Sequence, residues 1–325
     1  MENNVNSKLI FQNIPTVFPA SSFNPRADAD ALHKAMKGLG TDEKVLISIL
    51  CHRTRDQRVS INHAYKAGYG KDLESALKSE LSGGFENLMV ALCLPLAEFM
   101  AREVHHAISG MGTNEGTLIE ILCSGTNQDI REMNAAYQQL YGHPMENDIK
   151  GDTSGEFELL LVSLVQGQRD ENQTVDVYEA RADTHLLFQA GTAKVGTNES
   201  VFHSILASRS WPHLRMVMYE YQEMHGHTLE HAVMSEFSFN AERGLLTILQ
   251  CAKNRHEYFA HRLHHAISGL GTNDRNLIRI MVSRCDVDLN NIKQEYERKF
   301  SRSLQADVSG DSSGDYQRAL LALLG

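Results

Sequence analysis

The sequence predicts an all-α protein built from four homologous five-helix repeats. A stretch at residues 105–114, HHAISGMGTN, returns with one letter changed as HHAISGLGTN at residues 264–273. Weaker copies are KAMKGLGTD at residues 34–42 and AGTAKVGTN at residues 190–198. Apolar residues recur at helical spacing between these copies. Self-similarity of this kind is the sequence signature of a repeat protein.

The internal spacing of each copy is constant. We measure it from one position of the turn, which is occupied by Gly38, Gly110, Lys194 and Gly269. A tyrosine follows 27 residues later in every copy, and an acidic residue follows 42 residues later. The acidic residues are Glu80, Asp152, Glu236 and Asp311. Since the copies themselves start 72, 84 and 75 residues apart, length varies only in the connectors.

The first repeat illustrates the five predicted helices. Ala29 and Leu32 lie on one face of a first helix that stops at the glycines of the turn, and Thr41 is expected to cap the second helix. The third, fourth and fifth helices are expected at about residues 56–68, 72–81 and 85–93. The fifth is nearly all apolar, so it must be buried.

The repeats and connectors give a division of the chain. The longest connector, within residues 167–176, is polar and marks the middle of the chain, so we expect the repeats to be arranged as two halves. The predicted segments are an N-terminal tail (1–23), repeat 1 (24–95), repeat 2 (96–168), a connector (169–179), repeat 3 (180–253) and repeat 4 (254–325). The tail is expected to be extended and either pinned to the body by Phe18 or Phe23 or disordered.

Composition excludes several classes of function. The formal net charge is −10 with no long basic run, which argues against nucleic acid as a partner. Five scattered cysteines predict reduced thiols packed in the cores of a cytoplasmic protein. The amino terminus lacks the pattern of a secretory signal, and the longest apolar run is well short of the ~20 residues that span a bilayer. Any membrane contact is therefore expected to be peripheral.

The glycine turn and the acid 42 residues later together predict a metal site. A helix end leaves its last carbonyls without intrahelical partners, and glycines allow close approach to a ligand. Carbonyl oxygens with a carboxylate are the hard ligands that Ca²⁺ prefers. The alternative is a helix stop followed by a cap, with a solvated acid elsewhere. Caps need no distant carboxylate, so the fourfold spacing favours calcium, although no EF-hand loop is present.

The glycine turns and their distant acids resemble the motifs of a known protein family. KAMKGLGTDE followed by KSELSG, and GMGTNE followed by GDTSG, resemble the calcium-site signature of the annexins, and the match extends from about Phe23 to Gly325. The resemblance implies a curved disc of four five-helix repeats with calcium loops on the convex face. It also implies non-enzymatic, calcium-dependent, peripheral binding to anionic, phosphatidylserine-like membranes from the cytosolic side, with clustering, bridging or self-association there.

The resemblance assigns three carbonyls and one carboxylate to each site. They are Met36, Gly38, Gly40 and Glu80; Ile108, Gly110, Gly112 and Asp152; Gly191, Lys194, Gly196 and Glu236; and Ile267, Gly269, Gly271 and Asp311. Weaker secondary sites are expected at Glu43, Glu115, Glu199 and Asp274. The third site departs most from the pattern, because Lys194 replaces a glycine and Glu236 is followed by Phe-Ser-Phe, without the usual Ser-Gly.

Charge explains what such sites would do. Four divalent ions add eight positive charges and change the formal net charge from −10 to −2, with the gain confined to one face. A lipid phosphate oxygen then completes each coordination shell, so calcium and anionic lipid raise each other's affinity. The tip residues Leu39, Met111, Val195 and Leu270 are all apolar. They are expected either to enter the lipid interface or to be ordinary exposed side chains.

Two further hypotheses belong to other classes of protein. The first is a calcium-regulated oligomer that conducts ions along a polar path between the halves or forms a membrane scaffold. The second is an enzyme, against which the lack of a nucleophile–base pattern counts. The paired histidines at 105–106 and 264–265 are expected to be titratable helix surface, with a pH-dependent membrane switch as the alternative.

Overall fold

The predicted all-α class with four five-helix repeats is confirmed. The computed structural model describes residues 12–38, 40–110, 112–191, 198–269 and 271–325. The described residues form nineteen continuous helices and no strand. One of the nineteen is two helices joined across Asn254, whose backbone is extended (φ −159°, ψ 97°). If these two helices are counted separately, the described residues form four sets of five helices. In this described part of the chain, no helix is both long and apolar enough to cross a membrane.

The helix bounds follow the four repeats in order. Repeat 1 contains α1 (Pro25–Ala35), α2 (Glu43–Leu50), α3 (Arg55–Tyr69), α4 (Leu73–Glu80) and α5 (Gly83–Cys93). Repeat 2 contains α6 (Leu96–Ile108), α7 (Glu115–Ser124), α8 (Asn127–Tyr141), α9 (Met145–Asp152) and α10 (Gly155–Val165). Repeat 3 contains α11 (Val177–Ala190), α12 (Glu199–Ser208), α13 (Trp211–His225), α14 (Leu229–Glu236) and the first part of α15 (Phe239–Ile267). Repeat 4 contains the rest of α15, α16 (Asp274–Arg284), α17 (Leu289–Phe300), α18 (Leu304–Asp311) and α19 (Gly314–Leu324).

The chain forms two compact units, but they do not divide it at the central connector. One unit joins the first repeat to residues 259–325, and the other consists of residues 96–258. In the first unit the apolar helix α5 packs against α16 and α19 of the fourth repeat. In the second unit the equivalent helix α10 packs against α12 of the third repeat. The fifth helix of a repeat therefore buries its apolar surface against a neighbouring repeat, as its composition predicts.

Backbone bonds and one buried side chain fix the segment before α1. The N–H groups of Thr16 and Val17 donate to the carbonyl oxygen of Cys285 at 2.8 and 3.0 Å. Val17 is buried, whereas Phe18 is 60% exposed. Residues 12–20 are hydrogen-bonded to the body of the protein, as in the pinned alternative, but the buried side chain is Val17, whereas Phe18 is exposed and Phe23 is half-buried. The first eleven residues of the predicted tail lie outside the described residues.

The turn before the last helix of each repeat requires a left-handed residue. Gly83, Gly155 and Gly314 occupy this position with φ between 62° and 64°. The third repeat places Phe239 there, with φ of 55°. A non-glycine residue with a bulky side chain is strained in this region because its β-carbon approaches the following carbonyl.

We expect Phe239→Gly to raise the free energy of unfolding by about 1 kcal/mol, because glycine adopts this conformation without strain. Urea unfolding in calcium-free buffer measures the effect. Gly155→Ala is the matched control, since a β-carbon at Gly155 meets no atom within 4 Å and adds only backbone strain. It should lower the stability. If Phe239→Gly is no more stable than the unmodified protein, the assignment of backbone strain to Phe239 is wrong.

Candidate metal centres in the repeat loops

Each glycine loop is closed by an equivalent backbone hydrogen bond. The N–H of Asp42 donates to the carbonyl oxygen of Ala35 at 2.9 Å, and the N–H of Asn114 donates to that of Ala107 at 2.7 Å. The equivalent pairs in the other repeats are Asn273 with Ala266 and Asn198 with Ala190. Seven residues separate the partners in three repeats, but eight separate them in the third. The third loop is therefore one residue longer than the other three. The spacing in the sequence was measured from a position in the second half of the loop, so it did not include the additional residue.

Four of the loop glycines have a positive φ, which a residue with a β-carbon rarely adopts. Gly38, Gly40, Gly112 and Gly271 have φ between 85° and 118°. A β-carbon on Gly110 would lie 3.9 Å from the carbonyl oxygen of Gly112, and one on Gly269 would lie 3.5 Å from that of Gly271. In each of these two loops the carbonyl oxygen of the second glycine therefore lies near the first glycine. The preceding helix ends two residues before that first glycine, and the last carbonyls of a helix lack intrahelical partners.

The structure brings the distant acid to the loop in the second and fourth repeats. The hydroxyl of Thr113 donates to Oδ2 of Asp152 at 2.6 Å, across 39 residues of sequence. The hydroxyl of Thr272 donates to Oδ2 of Asp311 at 2.5 Å across the same separation. Each hydroxyl also approaches the backbone oxygen of the same acid, at 3.1 and 3.2 Å. One carboxylate is therefore held beside the loop carbonyls in both repeats.

The repeated threonine does not cap the second helix, contrary to the prediction for Thr41. The side chain of the next residue caps it: Asp42 accepts from the N–H of Val45, and Asn114 accepts from the N–H of Thr117. Asn273 does the same for α16. The threonine hydroxyl is therefore free to bind the acid in repeats 2 and 4. Sequence reasoning missed this role, although the invariant threonine in all four loops was the signal.

The acid approaches the loop differently in the third and first repeats. A β-carbon on Gly191 would lie 3.1 Å from Cγ of Glu236, so the acid lies close against the start of the third loop. Lys194 and Gly196 lie outside the described residues. Glu80 is exposed, and within the described ranges no hydrogen bond joins it to Thr41. The four acids thus occupy equivalent positions, but among the described residues only Asp152 and Asp311 are hydrogen-bonded to the loop threonine.

The remaining predicted ligands occupy equivalent positions. Ile108 and Ile267 end the helices that precede their loops, and Met36 and Gly191 are the residues directly after such helices. The four acids each end the fourth helix of their repeat. Glu43, Glu115, Glu199 and Asp274 each begin the second helix. The tip residues Leu39, Met111, Val195 and Leu270 lie outside the described residues.

The donor set fits a hard cation. Backbone carbonyls and a single carboxylate per loop suit Ca²⁺, which takes oxygen ligands, and do not suit metals that select thiolates. All five cysteines are free and buried, as predicted, so none is available at a loop.

Two of the histidines in the repeated stretch have structural partners. Nδ1 of His105 lies 3.0 Å from the hydroxyl of Tyr137, and its ring stacks on Tyr141 with centroids 3.8 Å apart. His264 makes the same contacts, to the hydroxyl of Tyr296 at 3.1 Å and to the ring of Phe300 at 3.8 Å. These histidines join the first and third helices of a repeat, so the prediction of helix surface was wrong for them. Their neighbours His106 and His265 are exposed.

Fold and loops together define a four-repeat helical protein whose inter-helix loops are built for a hard cation. The family model described as annexin matches residues 27–92, 99–164, 182–248 and 258–323. The chain belongs to the annexin family, whose members bind Ca²⁺ and, in a calcium-dependent manner, phospholipid membranes.

Individual relatives are similar over nearly the whole chain. It is 49% identical to annexin A7 of Macaca fascicularis over 310 residues, which is 95% of this chain but 64% of that protein. It is 45% identical to annexin A8 of Homo sapiens, with 95% of both chains covered. The structure of annexin III matches with a TM-score of 0.95 at 41% identity, over 97% of this chain and 98% of that one. A calcium-bound annexin (Sm)1 matches with a TM-score of 0.88 at 32% identity, over 96% and 93%.

Proposed function

We propose that this protein binds anionic phospholipid membranes peripherally and reversibly in response to calcium, without catalysing a reaction. The observation that carries the proposal is the pairing of Asp152 with Thr113, repeated by Asp311 with Thr272. In both repeats a neutral hydroxyl holds the carboxylate beside a glycine loop, and among the described residues no cation pairs with this carboxylate. The proposed place of action is the cytosolic face of membranes.

The residues that would hold calcium come from two parts of each repeat. The proposed carbonyl donors are Met36, Gly38 and Gly40; Ile108, Gly110 and Gly112; Gly191, Lys194 and Gly196; and Ile267, Gly269 and Gly271. The carboxylate donors are Glu80, Asp152, Glu236 and Asp311. Bound calcium supplies positive charge and open coordination positions for a lipid phosphate oxygen.

The protein's own contribution is to make membrane binding conditional. With a formal net charge of −10 and no compensating metal, the chain is repelled by an anionic surface. The glycine loops position oxygens that attract a divalent ion and carry little charge themselves. Calcium and lipid are therefore thermodynamically linked, and each should lower the concentration of the other that is needed for binding.

Co-sedimentation with vesicles tests this proposal. We expect the protein to pellet with phosphatidylserine–phosphatidylcholine vesicles in calcium, to be released by a chelator, and to remain in the supernatant with phosphatidylcholine alone. Turbidity of the same vesicle suspension reports clustering or bridging of membranes by the bound protein. Binding without calcium, or equal binding to both vesicle types, would contradict the proposed function.

A further inference from the structure

Phe239 is an exposed aromatic side chain held in a strained backbone conformation. It is 85% exposed, more than any other large apolar side chain in the described part of the protein. The equivalent positions of the other three repeats carry glycine, which adopts the same conformation without strain. The ring therefore costs backbone energy and leaves most of its surface in water. No contact in the described part of the third repeat accounts for it.

The base of this turn is fixed to the third candidate site. Phe237, two residues earlier, is buried and packs edge-to-face on Phe202, with centroids 5.1 Å apart. Glu236 precedes it directly and lies against Gly191 of the third loop. The chain from the proposed ligand to Phe239 is therefore three residues long and anchored at its start. Phe239 therefore lies close to this loop, two residues after a buried side chain.

The other side of the turn reaches the second candidate site. Arg243, one helical turn after Phe239, bonds Oδ1 of Asn240 at 2.9 Å. Its Nη2 would lie 3.3 Å from a β-carbon on Gly116. Gly116 is two residues after Asn114, whose N–H closes the second loop. Both loops and Phe239 belong to the same compact unit. The turn thus lies between two calcium-loop positions.

We propose that Phe239 is a membrane-anchoring residue, which enters the interfacial region of an anionic lipid bilayer when the neighbouring loops hold calcium. This inference rests on the proposed function and extends it to a turn outside the glycine loops. Aromatic rings favour the interface between acyl chains and headgroups, where an apolar side chain leaves water without losing any polar partner. The interaction would offset what the strained turn and the altered third loop cost.

Vesicle binding of Phe239→Gly measures the contribution of the ring. We expect roughly tenfold weaker binding to phosphatidylserine-containing vesicles at saturating calcium, which corresponds to about 1.4 kcal/mol for partial burial of one aromatic side chain. The substitution restores the residue of the other three repeats, so unfolding does not explain a loss. Tyr219→Ala is the matched control, because Tyr219 is 59% exposed on α13, a helix that carries no loop of these sites. It should bind as the unmodified chain does.

Fluorescence of Phe239→Trp locates the ring directly. We expect its emission to shift to the blue, and to be quenched by phosphatidylserine brominated on its acyl chains, only when calcium and vesicles are both present. Trp211 is the background in both proteins, and its ring lies 4.0 Å from the guanidinium of Arg169 and 5.2 Å from that of Arg255. The unmodified chain measured in parallel therefore gives the signal to subtract.

The outcomes separate this inference from the proposed function. If the unmodified chain does not bind vesicles with calcium, both are overturned. If it binds and Phe239→Gly binds equally well, or if the added fluorescence of Phe239→Trp is not quenched by the brominated lipid, the anchoring role alone is overturned. A blue shift with calcium in the absence of vesicles would also overturn it, because it would show that the ring packs against another copy of the chain.

Discussion

Asp152→Asn and Asp311→Asn are each expected to raise the calcium concentration for half-maximal vesicle binding by roughly tenfold or more, as loss of a metal-site carboxylate or its support commonly does. The fourth helix of each repeat supplies one carboxylate to the proposed site. The substitution therefore removes the only full negative charge that this helix supplies to the calcium ion. The amide keeps the size of the side chain, and it still accepts a hydrogen bond from Thr113 or Thr272. Calcium titration of vesicle co-sedimentation measures the change.

The controls for this prediction come from the fourth helices of the first and second repeats. Glu74→Gln on α4 and Glu146→Gln on α9 remove the same charge six residues before the proposed ligand, from side chains that bond to lysines. They should leave the calcium requirement unchanged. Glu80→Gln should also raise it, and Glu236→Gln should have the smallest effect because the third loop is altered. Equal and negligible effects at all four acids would show that these carboxylates are not the ligands.

Asp183→Ala is expected to lower the free energy of unfolding by about 3 kcal/mol, because it removes the buried carboxylate that both Arg209 and His213 contact. Asp183 is 2% exposed and binds Nε of Arg209 at 2.7 Å and Nη2 at 2.9 Å. It also lies 2.8 Å from Nε2 of the buried His213. Chemical denaturation followed by circular dichroism measures the loss. A loss below about 1 kcal/mol would show that the network contributes little, as exposed ion pairs do.

The second repeat supplies the control for this network. Its residues at the positions of Asp183 and Arg209 are Met100 and Gly125, so both partners are replaced together. The first repeat keeps the pair, with Nε of Arg53 2.7 Å from Oδ2 of Asp28. We therefore expect Asp183→Met combined with Arg209→Gly to destabilise less than Asp183→Ala alone. Replacing both members of the pair leaves neither charge without its partner.

The sequence predicted the candidate sites because their geometry depends on spacing within one repeat. A distance of 42 residues from the turn to the acid is set by the lengths of three helices, and this spacing is the same in every copy. This spacing accompanies the contact of Thr113 with Asp152, but within the described residues the same spacing does not bond Thr41 to Glu80. Helix ends were predicted to within a few residues, since turn glycines and apolar periodicity mark them.

Two features of the third repeat could be recognised only in the tertiary structure. The additional residue of its loop lies between Ala190 and Asn198, and a register measured from the second half of the turn cannot detect it. The departure at Phe239 was visible in the sequence as a missing Ser-Gly. Its left-handed backbone and its exposure are properties of the folded turn.

The sequence by itself determined the helical class, the four repeats and the residues that each repeat directs to its loop. Apolar periodicity predicts that helices such as α5 and α10 are buried. It does not predict which repeat packs against each of them, because all four repeats present similar apolar faces. Only the tertiary structure decided that the first repeat packs with the fourth and the second with the third. The choice depends on the fit between surfaces far apart in the chain and on the reach of the connectors, and neither property is local to the residues that form a helix.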